Sequence, residues 1–141
     1  MPIAHHPARG SIVVVNFDKG FKAPEMVKRR LAVVLTPKMK DRPSLCAVVP
    51  LSTTEPNPAR PYHTEIDIPF ALPKPWENQP RWVKGDMVCV VAMHRIELLR
   101  FQGKKQGRRQ YQTSCLDEIT FRRVRLCVLH GLGFSTLTKH L

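Results

Sequence analysis

Hydrophobic positions come in short continuous or alternating runs, cut by prolines and glycines, until one helical pattern closes the chain. The run SIVVVNF, from Ser11 to Phe17, is rich in β-branched residues and predicts a buried strand. The loop DKGFKAPEMV follows, with Gly20 and Pro24 as its turn signals. A second strand is predicted from about Arg30 to Thr36 and a third from about Cys46 to Leu51, with Pro37 and Pro43 between them. Pro50 cannot donate to a ladder, so a strand end or bulge is expected there.

The alternating YHTEIDI, Tyr62 to Ile68, predicts a half-exposed strand. The Pro-rich PFALPKPWENQPRW that follows is long enough for a binding or gating loop. Met87 to Met93 is continuously apolar and predicts the centre of the sheet; IELLRF and RRQYQ predict a hairpin about the basic turn GKKQG. Ser114 as cap, Asp117 and Glu118 in the first turn and Gly131 at C′ predict a helix from about Cys115 to His130. Its apolar residues spread beyond a narrow stripe, which suggests contact with its own barrel and with a second subunit.

Composition turns this pattern into one mainly β domain with a single C-terminal helix: a small curled antiparallel sheet or partly open barrel over residues 1–141, with a core at about residues 10–132 and flexible ends. The formal charge of +12 favours polyanions: nucleic acid first, an anionic membrane second, with an acidic protein beside both. No run approaches the roughly 20 apolar residues of a membrane helix, and MPIAHHPARG lacks the apolar core of a signal peptide, so a cytoplasmic protein without a membrane partner is expected. Cys46, Cys89, Cys115 and Cys127 lack paired metal-ligand spacing and are read as small hydrophobes; no metal or cofactor is expected.

The second and third strands, laid side by side, bring Arg29 or Arg30 to Ser52 and Thr53, a fixed cation beside hydroxyls and thus a place for a phosphate. A strand-edge arginine also serves as a solvated edge charge, and Ser52 and Thr53, followed by EPNPARP, also suit a turn. Lys104, Lys105, Arg108 and Arg109 fit a phosphate-backbone track as well as an ordinary solvated turn. Trp76, Trp82 and Tyr62, flanking the Pro-rich loop, fit stacking on single-stranded bases or packing.

The ordered set GSIVVVNFD, EMVKRRLAVVL, AVVPLST, PYHTEI, the apolar strand before MHRIE and the final helix resembles the PemK/MazF toxins over roughly Gly10 to Leu132. The resemblance implies an SH3-like barrel, a homodimer, metal-independent endonucleolytic cleavage of single-stranded RNA, and neutralisation by a small cognate antitoxin, here an acidic one. It places the family's arginine on Arg30, with Leu31 where the family has proline, and its Thr-Ser pair on Ser52 and Thr53 with the types exchanged. The acidic or amide position of some members falls around Val91 and Ala92 and is absent; the first-loop histidine of others is replaced by the region of Pro24 and Glu25.

Metal-free RNA cleavage needs a base for the 2′-hydroxyl, cations for the phosphorane-like transition state and an acid for the 5′-oxygen, and gives 2′,3′-cyclic phosphate and 5′-hydroxyl ends. Arg30 suits charge stabilisation, His94 suits proton transfer with His63 in reserve, and Glu25 serves only if the first loop folds over the site. Ser52 and Thr53 would orient the phosphate, while Lys28, Arg29, His63, Arg95 and the four hairpin cations would hold RNA. Two other readings stand beside this one: a non-catalytic RNA-binding barrel, and a toxin of the same fold that poisons a protein target such as gyrase through the tail FSTLTKHL.

Overall fold

The structure, a computed structural model, describes residue 3 and residues 5–141. Its strands are β1 Ile12–Asn16, β2 Arg29–Val34, β3 Leu45–Ser52, β4 His63–Ile66, β5 Arg81–Lys84, β6 Cys89–Ala92, β7 Ile96–Lys105 and β8 Arg108–Gln112. They form one antiparallel sheet in the order β4-β5-β3-β2-β1-β7-β8, with β6 paired to β3 off that path. Three-residue 3-10 turns, Gly85–Met87 and Met93–Arg95, flank β6; helix α1, Glu118–Gly131, and a last 3-10 segment, Ser135–His140, end the chain. No ladder joins β6 to β7, so the sheet curls but stays open.

Side-chain alternation sorts the apolar runs into two cores. Ile12, Val14, Leu31, Val33, Val49 and Leu51 face Phe121, Val124 and Cys127 of α1. Val13, Val15, Ala32, Val34, Cys46 and Val48 face the other way and pack with Phe17, Val91 and Ile96. Burial on both faces is why β1 to β3 read as continuous hydrophobic runs, each fully buried Val or Leu contributing about 1.5–3 kcal/mol. Cys46 and Cys127 are buried, Cys89 is half-buried and Cys115 is exposed.

Several elements differ from the expectation. Pro50 does not end its strand. Leu35 N–H donates to Ala47 O, so Pro50, three residues on, faces the opposite edge of β3, where β6 ends at Val48 and β5 begins at Leu51. The missing N–H thus falls in a gap between two partners. The run from Met87 to Met93 is not the sheet centre: β6 pairs only with β3, and Val90 is 49% exposed. Strand β5 lies where the sequence suggested the tail of the Pro-rich loop. The hairpin is present but tighter, with Gln106 and Gly107 at positive φ (53° and 74°) in the turn and the lysines already in β7.

Helix α1 is capped by Asp117, whose carboxylate accepts from Thr120 N at 3.0 Å, rather than by Ser114. The residue in the C′ role is Gly133 (φ 79°): its N–H donates to His130 O while Phe134 N–H donates to Leu129 O, a Schellman closure. Gly131 remains helical and serves contact instead. A Cβ there would stand 2.3 Å from Gly85 O, and one on Gly85 would stand 2.3 Å from Cys127 O, so helix and turn meet backbone to backbone. Arg123 ties the same helix to β4, donating to Thr64 Oγ1 and Glu65 O at 2.7 Å each.

Candidate functional site

Strands β2 and β3 are antiparallel with Ala32 opposite Pro50. Carrying that register outward sets Arg30 beside Ser52 and Arg29 beside Thr53, at the end of the sheet where β2 begins and β3 stops. A cavity of about 230 Å³ opens there, lined by Arg29, Arg30, Leu31, Leu51 and Thr53 on one side and by Pro75, Trp76, Glu77, Gln79 and Arg81 on the other. The second wall is the Pro-rich loop. Asn78 holds that loop in shape by accepting from Leu72 N and donating to Phe70 O, and Gln112 donates to Ala71 O from β8.

The three arginines are fixed differently. Arg29 is half-exposed and pairs with Glu97 at 2.7 Å. Arg30 donates from Nε to Val27 O at 3.1 Å. Arg81, 6% exposed, is the only buried charged residue among those described. It donates from Nη2 to Glu77 O at 2.9 Å and lies 6.0 Å from the Trp76 ring centre, while its Nε has no acceptor. Burial pushes the Arg81 guanidinium below its usual value, and Glu77 pulls it back up. Guanidinium groups, a hydroxyl and one carboxylate around an open cavity suit a phosphodiester: cations for its oxygens, a donor to orient it, and Glu77 to accept a proton.

A second polar group occupies the opposite face of β3, β5 and β4. Ser52 stands opposite Trp82 and Trp82 opposite Glu65; in the next row Lys84 stands opposite His63. Ser52 Oγ accepts from Thr54 N, a turn contact, so the two adjacent hydroxyls are divided between the faces. The His63 side chain is 7% exposed, with Nδ1 accepting from Arg60 N and Nε2 3.7 Å from Asp86 Oδ1. Burial first and then Lys84 push its pKa below the usual imidazole value, Asp86 raises it, and Arg60 lowers it further.

The remaining expected residues do not line the arginine cavity. His94 is exposed in the Met93–Arg95 turn, whose Met93 N–H donates to Ser44 O just before β3. Arg95 donates to Asn16 O and lies 4.8 Å over the Phe21 ring, pinning the first loop. Lys28 is exposed at φ 72° ahead of β2. Lys104, Lys105, Arg108 and Arg109 stand on the projecting β7–β8 ribbon. Glu25 lines a separate cavity of about 320 Å³ with Phe21 and Asp86 among its neighbours.

Sequence reading missed Glu77, Gln79, Arg81 and Asp86. The first three sit in or beside a loop whose path depends on long-range contacts; the Arg-Trp-Val-Lys alternation after Pro80 was the available signal for β5. A carboxylate was sought at Val91 and Ala92, the far end of the apolar segment, whereas Asp86 stands at its near end beside His63. Among the described residues no cluster of His, Cys, Asp or Glu is suited to a metal ion, and no helix is long and apolar enough to cross a membrane.

Three comparisons place the chain among known proteins. The sequence pattern of the PemK-like, MazF-like toxins of type II toxin–antitoxin systems matches residues 8–128. The Escherichia coli (strain K12) protein YifN, itself uncharacterized, is 32% identical over 160 residues, covering 97% of this chain and 99% of its own. MazF from Deinococcus radiodurans superposes with a TM-score of 0.60 at 21% identity, over 93% of this chain and 99% of its own. An endoribonuclease solved with its cognate antitoxin from a mycobacterial species gives 0.54 at 14%, over 91% and 96%.

Proposed function

Because the chain belongs to the PemK-like, MazF-like toxin family of type II toxin–antitoxin systems, we propose that it is a cytoplasmic endoribonuclease that cuts single-stranded RNA without a metal. The observation that carries this reading is the convergence of Arg29, Arg30, Arg81 and Thr53 on one cavity. A scissile phosphate seated there has guanidinium groups for its charged oxygens and Thr53 Oγ1 as an orienting donor. Glu77, the one carboxylate of the lining, takes the proton of the 2′-hydroxyl. The 2′-oxygen then bonds to phosphorus, the bond to the 5′-oxygen breaks, and that oxygen takes a proton from solvent. The ends are a 2′,3′-cyclic phosphate and a 5′-hydroxyl. Glu77 replaces His94 in the proton-transfer role, since His94 does not line this cavity.

The toxin works as a homodimer and is silenced by an acidic antitoxin. Ile119, Leu132, Phe134 and Leu137, exposed on α1 and the segments after it, supply an apolar patch for the second copy. The surplus of cations supplies the field for the antitoxin. The deciding experiment incubates a long single-stranded RNA with the purified protein in excess EDTA, beside Arg30→Ala, and maps new 5′ ends. Discrete 5′-hydroxyl ends are expected from the unmutated protein, with a loss of about 100-fold or more in the variant. Intact RNA, or a folded Arg30→Ala of full activity, would overturn the reading.

A further inference from the structure

The β7–β8 ribbon carries charge in an arrangement that a lone protein does not favour. From Arg100 to Gln112 it holds Arg100, Lys104, Lys105, Arg108 and Arg109 and no acidic residue. Near the tip the ladder sets Lys104 directly opposite Arg109 and Lys105 directly opposite Arg108. Like charges directly opposed repel, and both consecutive rungs are of this kind. None of these four cations forms an ion pair among the described residues, and all are exposed. The ribbon joins the body at its base, where Ile96, Glu97 and Leu98 of β7 pair with β1 and Gln112 donates to Ala71 O of the Pro-rich loop.

Alternation gives the arrangement a second property. Lys104 and Arg109 share one face of the ribbon with Tyr111 and Arg100; Lys105 and Arg108 occupy the other. A ribbon lying along a single strand or on a flat acidic surface would leave one of these faces facing solvent. Cations on both faces reach phosphates together when negative charge stands on both sides, as it does between the two backbones bordering the wide minor groove of a base-paired RNA stem, the A-form major groove being too narrow for a ribbon.

We infer that the β7–β8 ribbon is an arm that seats between the two phosphate backbones of an RNA stem beside the cleavage site, so that the substrate is a folded RNA with its cut segment in an adjoining single-stranded loop. The inference rests on the endoribonuclease reading for its substrate and adds the class of RNA. The contacts are to phosphates, so the arm recognises the shape of a stem and not its sequence.

The test is binding, kept apart from cleavage by using 2′-O-methyl RNA that cannot be cut. A fluorescent stem–loop and an unstructured strand of equal length are titrated with full-length, antitoxin-free protein over a series of NaCl concentrations. Tighter binding of the stem–loop, by about tenfold, is expected for the unmutated chain. Replacing Lys104, Lys105, Arg108 and Arg109 by Gln should erase that preference and flatten the salt dependence by about three phosphate contacts or more. The pairs Lys104→Gln with Arg109→Gln, and Lys105→Gln with Arg108→Gln, each remove one face and should each lose part of the preference, with circular dichroism checking the fold. Equal affinity for both RNAs, or a one-face variant that binds as the unmutated protein does, overturns the inference. So does an arm variant that keeps its RNA affinity and loses only its affinity for poly-glutamate, which would mark the arm as a protein-docking element. Cleavage of unmodified RNA, whose 2′-hydroxyls are free, by the same preparations reports separately on the endoribonuclease reading.

Discussion

Arg81 keeps a full guanidinium under the Pro-rich loop, with one bond to Glu77 O and no acceptor at Nε. An apolar side chain of similar reach would remove the desolvated charge and retain the packing, so Arg81→Met should match the unmutated protein in urea stability within about 1 kcal/mol or exceed it. The same variant should cleave RNA about 100-fold more slowly, the scale of one lost transition-state donor. A stable and fully active Arg81→Met would take Arg81 out of the chemistry. His63 offers a test in pH. Its pKa is lower in the folded chain than its usual 6.5, so the unfolded state binds more protons between the two values and stability rises with pH. Its contribution is complete above about pH 6.5 and is lost as the pH falls through the folded value. Urea midpoints at pH 7.5 and 5.5 should therefore show a decline in the unmutated protein that is smaller in His63→Gln.

At the scale of elements, α1 and the Gly85–Met87 turn meet backbone to backbone. Gly131→Ala would put a methyl group 2.3 Å from Gly85 O, where backbone and not a flexible side chain must give way. A loss of about 3 kcal/mol or more is expected, read as a fall in the urea midpoint; Gly133→Ala, whose Cβ meets nothing within 4 Å, should suffer only the strain of its positive φ. Equal stability of the two variants would dissolve the joint. The two glycines also show what the sequence could and could not convey. A glycine near a helix end reads as a left-handed cap, yet that role belongs to Gly133, and Gly131 is explained only by a partner 46 positions earlier in the chain, Gly85. Strands β1 to β3 were legible because burial on both faces writes unbroken apolar runs. Strand β5, short and alternating, was not, and β6 was legible as a strand but not in its place at an edge, since what decides both is which strand edge they reach. The meeting of Arg29 with Thr53 followed from two neighbouring strands; the wall of Trp76, Glu77 and Arg81 followed from a loop closing over them.

For the whole molecule the governing quantity is the charge of +12. Cations occur at the cavity, along the second polar face and on the arm, so a polyanionic partner meets an attractive field from several directions. Binding of the proposed acidic antitoxin should accordingly weaken by at least tenfold between about 50 and 300 mM NaCl, mostly through a slower association rate. Affinity unchanged across that range, measured by titration, would assign the complex to apolar contact alone.

The division of Ser52 and Thr53 between opposite faces of one strand has a consequence for how such a site is spelled. Two adjacent hydroxyl residues give each face an oxygen whichever comes first, since exchanging serine and threonine moves a methyl group and leaves an oxygen at both positions. The order of the pair is therefore a synonym, while the adjacency itself is the word that carries the meaning.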